Sequence, residues 1–439
     1  MHRDFGVMLN IPSNRLCPPV PNRMNYVLWI QDIVHAHHSV LGSRPRKIRG
    51  IDIGTGATAI YPFLACKLEP TWELVGTELD DESFESARIN VSSNDMQSRI
   101  DVQKASNDGL ILFPLEESDE NFEFSMCNPP FYESALEISQ LAQEKELPPN
   151  AVCTGADIEM IYPNRGEAGF VERMVEESER FQTRCKWYTS MLGKMTSVSS
   201  IVQALRTRSI NNYAITEFVQ GQTRRWAIAW SFTDTHLPDS IARIPSISSK
   251  HALYSVMPPR NTLSQPFPNF GSDTIYSAVS EVLRSIDGVS ATELSPPLPA
   301  AADSRPGCDS LSAEADNVSD NSVLLFFVEA QGNTWSRSAR RSRHRQSEDK
   351  AKDVTSRTDQ PTVPKPALTC SCRVTGASDT EFPSGNVAGG DAAVYSVEFQ
   401  WVFGSDRSLF ESFVGHVGRK VGLALQGGKS RRNEDPLPG

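Results

Sequence analysis

Between Asp4 and about Phe232 the chain alternates apolar runs of strand length with amphipathic stretches, the pattern of βαβ units around a mostly parallel sheet. Lys47–Ile53 reads as a buried strand, Glu73–Thr77 as a second, Phe122–Cys127 as a third and Trp187–Met191 as a fourth. Helical spacing joins them: Tyr26, Trp29, Ile30 and Ile33 share a face in Asn25–His35, and Phe170, Met174 and Phe181 recur in Glu167–Lys186. Tyr213–Val219 and Arg225–Phe232 flank Gln220-Gly221-Gln222 and predict an antiparallel hairpin that closes the sheet.

Beyond Asp287 the pattern breaks down into Ser, Pro, Ala, Asp and Gly, a composition that buries too little apolar surface to offset ordering. The chain therefore reads as one α/β domain over 1–240, a connecting segment and helix (Thr274–Ile286) over 241–286, and a disordered linker over 287–321. A strand (Val323–Glu329) and a basic run follow over 322–345, then a second disordered linker over 346–391. A strand (Val394–Phe403) and a helix (Ser408–Val421) over 392–439 complete a small, interrupted α+β unit. Overall composition agrees, with 39% hydrophobic residues, 29 Pro and 27 Gly in 439 residues.

A formal charge of −11 argues against a purely electrostatic RNA coat protein. No apolar run is long enough for a membrane helix and Met1-His2-Arg3-Asp4 lacks a signal core, which predicts a soluble intracellular protein with no membrane partner. The eight cysteines lack paired CxxC spacing, so free thiols and no metal site are expected.

Chemistry concentrates at two turns. Ile51-Asp52-Ile53-Gly54-Thr55-Gly56 runs a strand into a glycine turn, where a ligand can approach the backbone closely, and Glu78 ends the next strand, where a carboxylate can accept from ribose hydroxyls. The third glycine of a pyrophosphate-binding turn is absent, which favours S-adenosylmethionine, a nucleoside cofactor without phosphate. The third strand runs into Asn128-Pro129-Pro130-Phe131. Two prolines hold that turn extended, so the Asn128 amide and the Pro129 carbonyl can accept hydrogen bonds from one amino group while Phe131 stacks on a planar base.

With these motifs in place, the chain resembles the methyltransferase-like protein 16 family of adenine-N6 RNA methyltransferases, and less closely bacterial enzymes acting on ribosomal RNA. The likeness runs from Asp4-Phe5-Gly6 to Trp230-Ser231-Phe232 and takes in Val20–Tyr26, Gly50–Ala57, Thr77-Glu78, Met126–Phe131, Trp187–Lys194, Thr216–Phe218 and Arg225–Ala227. It implies a Rossmann-like class I methyltransferase fold with a mixed seven-stranded sheet, S-adenosylmethionine as cofactor and N6-methyladenosine as product. The implied RNA partner is U6 small nuclear RNA or a similar structured RNA, with the nucleus as location and the cytoplasm as a second one. It implies that Arg23, Asp52, Gly54, Thr55, Gly56, Glu78 and Asn128 serve the methyl donor, that Asn128 to Phe131 hold the adenine, and that Lys194, Arg224 and Arg225 face RNA.

From Arg180 to Trp226 there are eight Lys or Arg residues against one acid, Glu217, which predicts a phosphate-contacting face. The run Arg337–Arg345 suggests a further RNA contact or a nuclear-import signal, and Trp335 ahead of it a stacking surface or a structural residue. Departures from the family are Gln222 in place of an arginine, a Lys104–Leu110 loop without a matching ligand pattern, and only three residues ahead of Asp4, which predicts reduced RNA affinity or an incomplete chain. Rival readings are methylation of a protein glutamine or of guanine N2 by the same tetrapeptide, and a catalytically weak RNA-binding protein.

Overall fold

In the computed structural model the structure describes residues 1–15, 19–41, 46–137, 157–163, 165–221, 223–245, 247–294, 325–336, 339, 341, 365–376 and 394–432. They form two units, Met1–Pro259 and Arg260–Gly439.

In the first unit the four predicted strands are β1 (Ile48–Ile53), β2 (Trp72–Glu78), β4 (Phe122–Cys127) and β5 (Cys185–Leu192), and the hairpin is β6 (Tyr213–Gln220) with β7 (Thr223–Trp230). A short strand that the pattern did not reveal, β3 (Ile100–Lys104), lies at one edge. The order is β3-β2-β1-β4-β5-β7-β6; β1 to β5 pair in parallel, and β7 is antiparallel to both of its neighbours. The strand order reverses between β1 and β4, and in open α/β sheets that switch point places a ligand crevice at the carboxyl ends of the strands.

Helices α1 (Val20–Leu41), α2 (Ile60–Leu68), α3 (Asp81–Ser93), α4 (Gly166–Phe181) and α5 (Met195–Thr207) accompany the sheet. Alternate strand residues feed two separate cores: Trp187 and Met191 join Tyr26, Ile30, Phe63 and Trp72, whereas Tyr188 and Leu192 join Ile51, Val198, Ile201 and Trp230. Helix α4 ends five residues before its predicted limit, because Gln182 takes a left-handed φ of 43° and the chain turns into β5 at Cys185.

The second unit is a five-stranded antiparallel sheet, β8 (Thr262–Phe267), β9 (Val289–Leu294), β10 (Leu325–Ala330), β11 (Leu368–Gly376) and β12 (Tyr395–Phe403), in the order β8-β12-β11-β10-β9. Helices α6 (Ser272–Arg284) and α7 (Arg407–Arg432) contribute Val279, Leu283, Phe410 and Phe413 to its core.

Three expectations change here. The boundary falls at Pro259 and not at 240, because β8 belongs to the second sheet. Strand β9 occupies the start of the linker expected over 287–321. The linker expected over 346–391 contains β11, the central strand of its sheet, which Cys370 and Cys372 bury side by side in the core. Residues 295–321 of the first linker, and 346–364 and 377–391 of the second, lie outside the described residues. So does the basic run at Arg337–Arg345, apart from Ala339 and Arg341. Trp335 is structural: it is 3% exposed, its indole donates to Ser412 Oγ at 3.1 Å, and it meets the Phe413 ring edge-on. Among the described residues no helix is long and apolar enough to cross a membrane, and no group of three His, Cys, Asp or Glu is placed to hold a metal.

Candidate active site

Strand β1 delivers the chain into a turn in which Gly54 and Gly56 have φ of 69° and 68°, backbone that side chains rarely adopt. A side chain built on either glycine would meet nothing within 4 Å, so both stand beside open space. The turn is clipped to the end of β2. Gly56 N–H donates to one Glu78 carboxylate oxygen at 2.8 Å, and the N–H groups of Leu79 and Asp80 donate to the other at 2.8 and 2.9 Å. Burial raises the Glu78 carboxyl above its ordinary range, and these three donors oppose it. An ionised carboxylate offers about four acceptor positions, so roughly one is left for a ribose hydroxyl.

These residues line a cavity of about 360 Å³, shared by Arg23, Gly54 to Thr58, Thr77 to Leu79 and Asn128 to Pro130. That volume lies in the range of small-ligand sites. Arg23 Nε and Thr55 Oγ1 are buried with no hydrogen-bond partner among the described residues. Buried polar atoms without partners are costly, and here they fit a polar, nucleoside-sized ligand beside two bare glycines.

Asp52 is fully buried and does not line the cavity, which removes it from direct ligand contact in this state. Burial pushes its carboxyl up to about 7, and the Glu78 charge adds to the rise. The loop for which the sequence suggested no ligand role does line the cavity, through Ala105, Ser106, Asn107, Gly109 and Leu110. Helix α4 holds it: Arg173 donates to the Gly109 carbonyl, and Glu177 accepts from Leu112 N–H at 2.9 Å. Those contacts span more than sixty residues of sequence, so no local pattern announces them.

On the acceptor side, Asn128, Pro129 and Pro130 face the cavity and Phe131 does not line it. The chain leaves the tetrapeptide by pairing Tyr132 with the segment after Met160: Tyr132 N–H donates to the Met160 carbonyl at 2.9 Å and Tyr162 N–H to the Tyr132 carbonyl at 2.8 Å. Phe131 packs against the bare backbone of Gly193, where an added methyl would come within 3.0 Å of its ring, and the Arg225 guanidinium lies 5.6 Å from the ring centre. Glu167, 1% exposed, fixes this corner by accepting from Gly193 N–H at 2.7 Å and Lys194 N–H at 2.8 Å. In the sequence Glu167 stands out only as the first residue of a helical stretch.

Four of the eight cations of the basic stretch are held in ion pairs. Arg180 pairs with Glu116, Lys194 with Glu137, Arg208 with Glu176 and Glu179, and Arg224 with Glu217. Glu116, Glu137, Glu176 and Glu179 lie outside the stretch, and Glu217 within it, so the local charge is offset in part by acids from other segments. Arg225 keeps the place beside Phe131. Gln222 lies outside the described residues.

A sheet of order 3-2-1-4-5-7-6 with a glycine turn, an acidic strand end and an Asn-Pro-Pro-Phe turn at its switch point defines a Rossmann-like class I methyltransferase. A sequence profile described as RNA methyltransferase matches residues 1–234, more than half of the chain, and the chain belongs to that family. It is 40% identical over 259 residues to the U6 small nuclear RNA (adenine-(43)-N(6))-methyltransferase of Schizosaccharomyces pombe, covering 58% of this chain and 65% of that one. It is 40% identical over 237 residues to the human RNA N(6)-adenosine-methyltransferase METTL16, covering 53% and 41%. The chain thus matches less than two thirds of the length of either relative. A crystal structure of the human METTL16 catalytic domain with a MAT2A 3′UTR hairpin is 38% identical, with a TM-score of 0.49 over 57% of this chain and 80% of that one.

Proposed function

We propose that the chain transfers a methyl group from S-adenosylmethionine to N6 of an adenine in a structured RNA, with U6 small nuclear RNA as the substrate and the nucleus as the place of action. The observation that carries this reading is one cavity bounded on one side by Gly54, Gly56 and Glu78 and on the other by Asn128, Pro129 and Pro130. Family membership and the names of the yeast and human relatives support the choice of adenine and of RNA.

The bound cofactor supplies an electrophilic sulfonium methyl. Gly54 and Gly56 let the backbone lie against the nucleoside, Glu78 accepts from a ribose hydroxyl, and Arg23 and Thr55 bring unpaired donors to its polar end. Asn128 and the Pro129 carbonyl, both acceptors, hold the exocyclic amine so that its lone pair points at the methyl. The C–N bond would form as the S–CH3 bond breaks and its electron pair stays on sulfur, giving S-adenosylhomocysteine, and the methylated amine would then lose its proton to water, so the site needs no general base before attack. The work of these residues is positioning, and effective molarities show how much rate positioning alone can contribute. A target adenine must leave its stack to reach such a turn, and Phe131 beside Arg225 offers a platform for the splayed base.

Labelled S-adenosylmethionine incubated with the full chain and U6 RNA, followed by nucleoside analysis, tests this. Label in N6-methyladenosine is expected. Label in guanosine, or in a glutamine of added protein, would replace adenine with a rival acceptor. A nuclear address is checked separately by imaging the tagged full chain.

A further inference from the structure

The segment Met8–Arg15 is tied to α3 and its caps, which in turn hold two residues of the donor-cavity lining, Ala57 and Glu78. Asn94 accepts from Met8 N–H at 2.8 Å and donates to the Met8 carbonyl at 2.7 Å. One helical turn earlier, Asn90 accepts from Asn10 N–H at 2.7 Å and donates to the Asn10 carbonyl at 2.9 Å. Two amides four residues apart on a helix therefore read two backbone positions two residues apart, as a neighbouring strand would. Asn90, 1% exposed, also donates at 2.9 Å to the carbonyl of Ala57, the residue that follows Gly56 and lines the cavity.

Arg15, 5% exposed, reaches the N-terminal end of α3. It pairs with Asp80 at 2.5 Å and Glu82 at 2.9 Å and donates to Ser83 Oγ at 2.9 Å. Asp80 caps α3 by accepting from Ser83 N–H at 2.9 Å, and its own N–H is held by Glu78.

We propose that Asn90 is a positioning residue for the methyl donor, acting through the Ala57 carbonyl to fix the Gly54–Ala57 turn, with Met8–Arg15 as the strap that holds Asn90 in place. The inference rests on the reading of this cavity as the S-adenosylmethionine site. Asn90 has both donors engaged, one on the strap and one on the turn, so its loss uncouples the two and leaves a buried carbonyl without that donor. Asn94 makes the same kind of rung and never touches the turn, which supplies an internal control.

The test is calorimetric titration of the full chain with S-adenosylhomocysteine, together with KM for S-adenosylmethionine and for RNA. In Asn90→Ala and in the near-isosteric Asn90→Asp, Kd and donor KM rise on the order of tenfold, the effect of one unpaired buried carbonyl. RNA KM and kcat at saturating donor stay within about twofold of the wild type, and Asn94→Ala leaves Kd within about twofold, well short of that tenfold step. Because coupling is reciprocal, S-adenosylhomocysteine also slows amide exchange at Met8 and Asn10 in the unaltered chain, a measurement independent of any variant's folding. Unchanged donor affinity in folded Asn90 variants, an equal loss in Asn94→Ala, or unchanged exchange at Met8 and Asn10 with ligand bound overturns the proposal. Failure of the unaltered chain to bind S-adenosylhomocysteine overturns the donor-site reading instead.

Discussion

Glu167 shows how much of the site depends on atoms that never meet a ligand. Its two carboxylate oxygens each accept one backbone N–H at the corner against which Phe131 packs. In Glu167→Gln one acceptor becomes an NH2 group facing an N–H, and a buried donor left unpaired costs about 1–3 kcal/mol. The expected outcome is a lower melting temperature and reduced RNA methylation, with affinity for S-adenosylhomocysteine retained; methylation equal to the wild type would remove Glu167 from the acceptor side. The residues legible in the sequence, Gly54, Gly56, Glu78 and Asn128 to Phe131, carry their signal in their immediate neighbours. Glu167, Arg173 and the 105–110 loop do not, because what they do is decided by partners far along the chain. Asp52 had the right neighbours and the wrong depth: its place before a glycine turn suggested a ligand contact, and full burial withdraws it.

At the scale of elements, strands with continuous apolar runs could be read directly, whereas those stabilised by pairing could not. Strand β3 is five residues with only Ile100 buried, and β9 is a largely exposed edge strand. Strand β11 sits between polar stretches and becomes a strand only through β10 and β12 on either side. Helix α1 is joined to β5 by the Trp187 indole N–H donating to His37 Nδ1 at 3.2 Å, a neutral imidazole acceptor. Burial lowers the His37 pKa to about 4; nearby His38 and Lys186 push the same way, and Glu123 opposes them. The unfolded chain takes up this proton near pH 6.5 and the folded chain only near 4, so stability falls as pH drops through that window. His37→Gln keeps an acceptor for Trp187 and cannot titrate. Denaturant midpoints measured from pH 7 to 4 are therefore expected to fall less steeply in the variant than in the wild type, and identical slopes would refute the assignment.

At the scale of the whole molecule, the second unit has its own core, drawn entirely from residues after Arg260. Phe410, fully buried and stacked on Trp401 at 5.6 Å, lies within it. Truncation of a buried Phe to Ala costs about 3–5 kcal/mol. Phe410→Ala in the full chain is expected to lower the melting transition of the second unit while the first still binds S-adenosylhomocysteine with wild-type affinity, as calorimetry would register. Loss of both together would show one cooperative unit instead of two.

In the proposed function, Asn128 holds an adenine amine for attack on the methyl of S-adenosylmethionine. Single-turnover methyl transfer to U6 RNA by Asn128→Ala, with donor affinity measured on the same preparation, tests it most directly. N6-methyladenosine formation is expected to fall by roughly two orders of magnitude, as when a positioning contact is removed, with S-adenosylhomocysteine binding nearly unchanged. Transfer at the wild-type rate would contradict it.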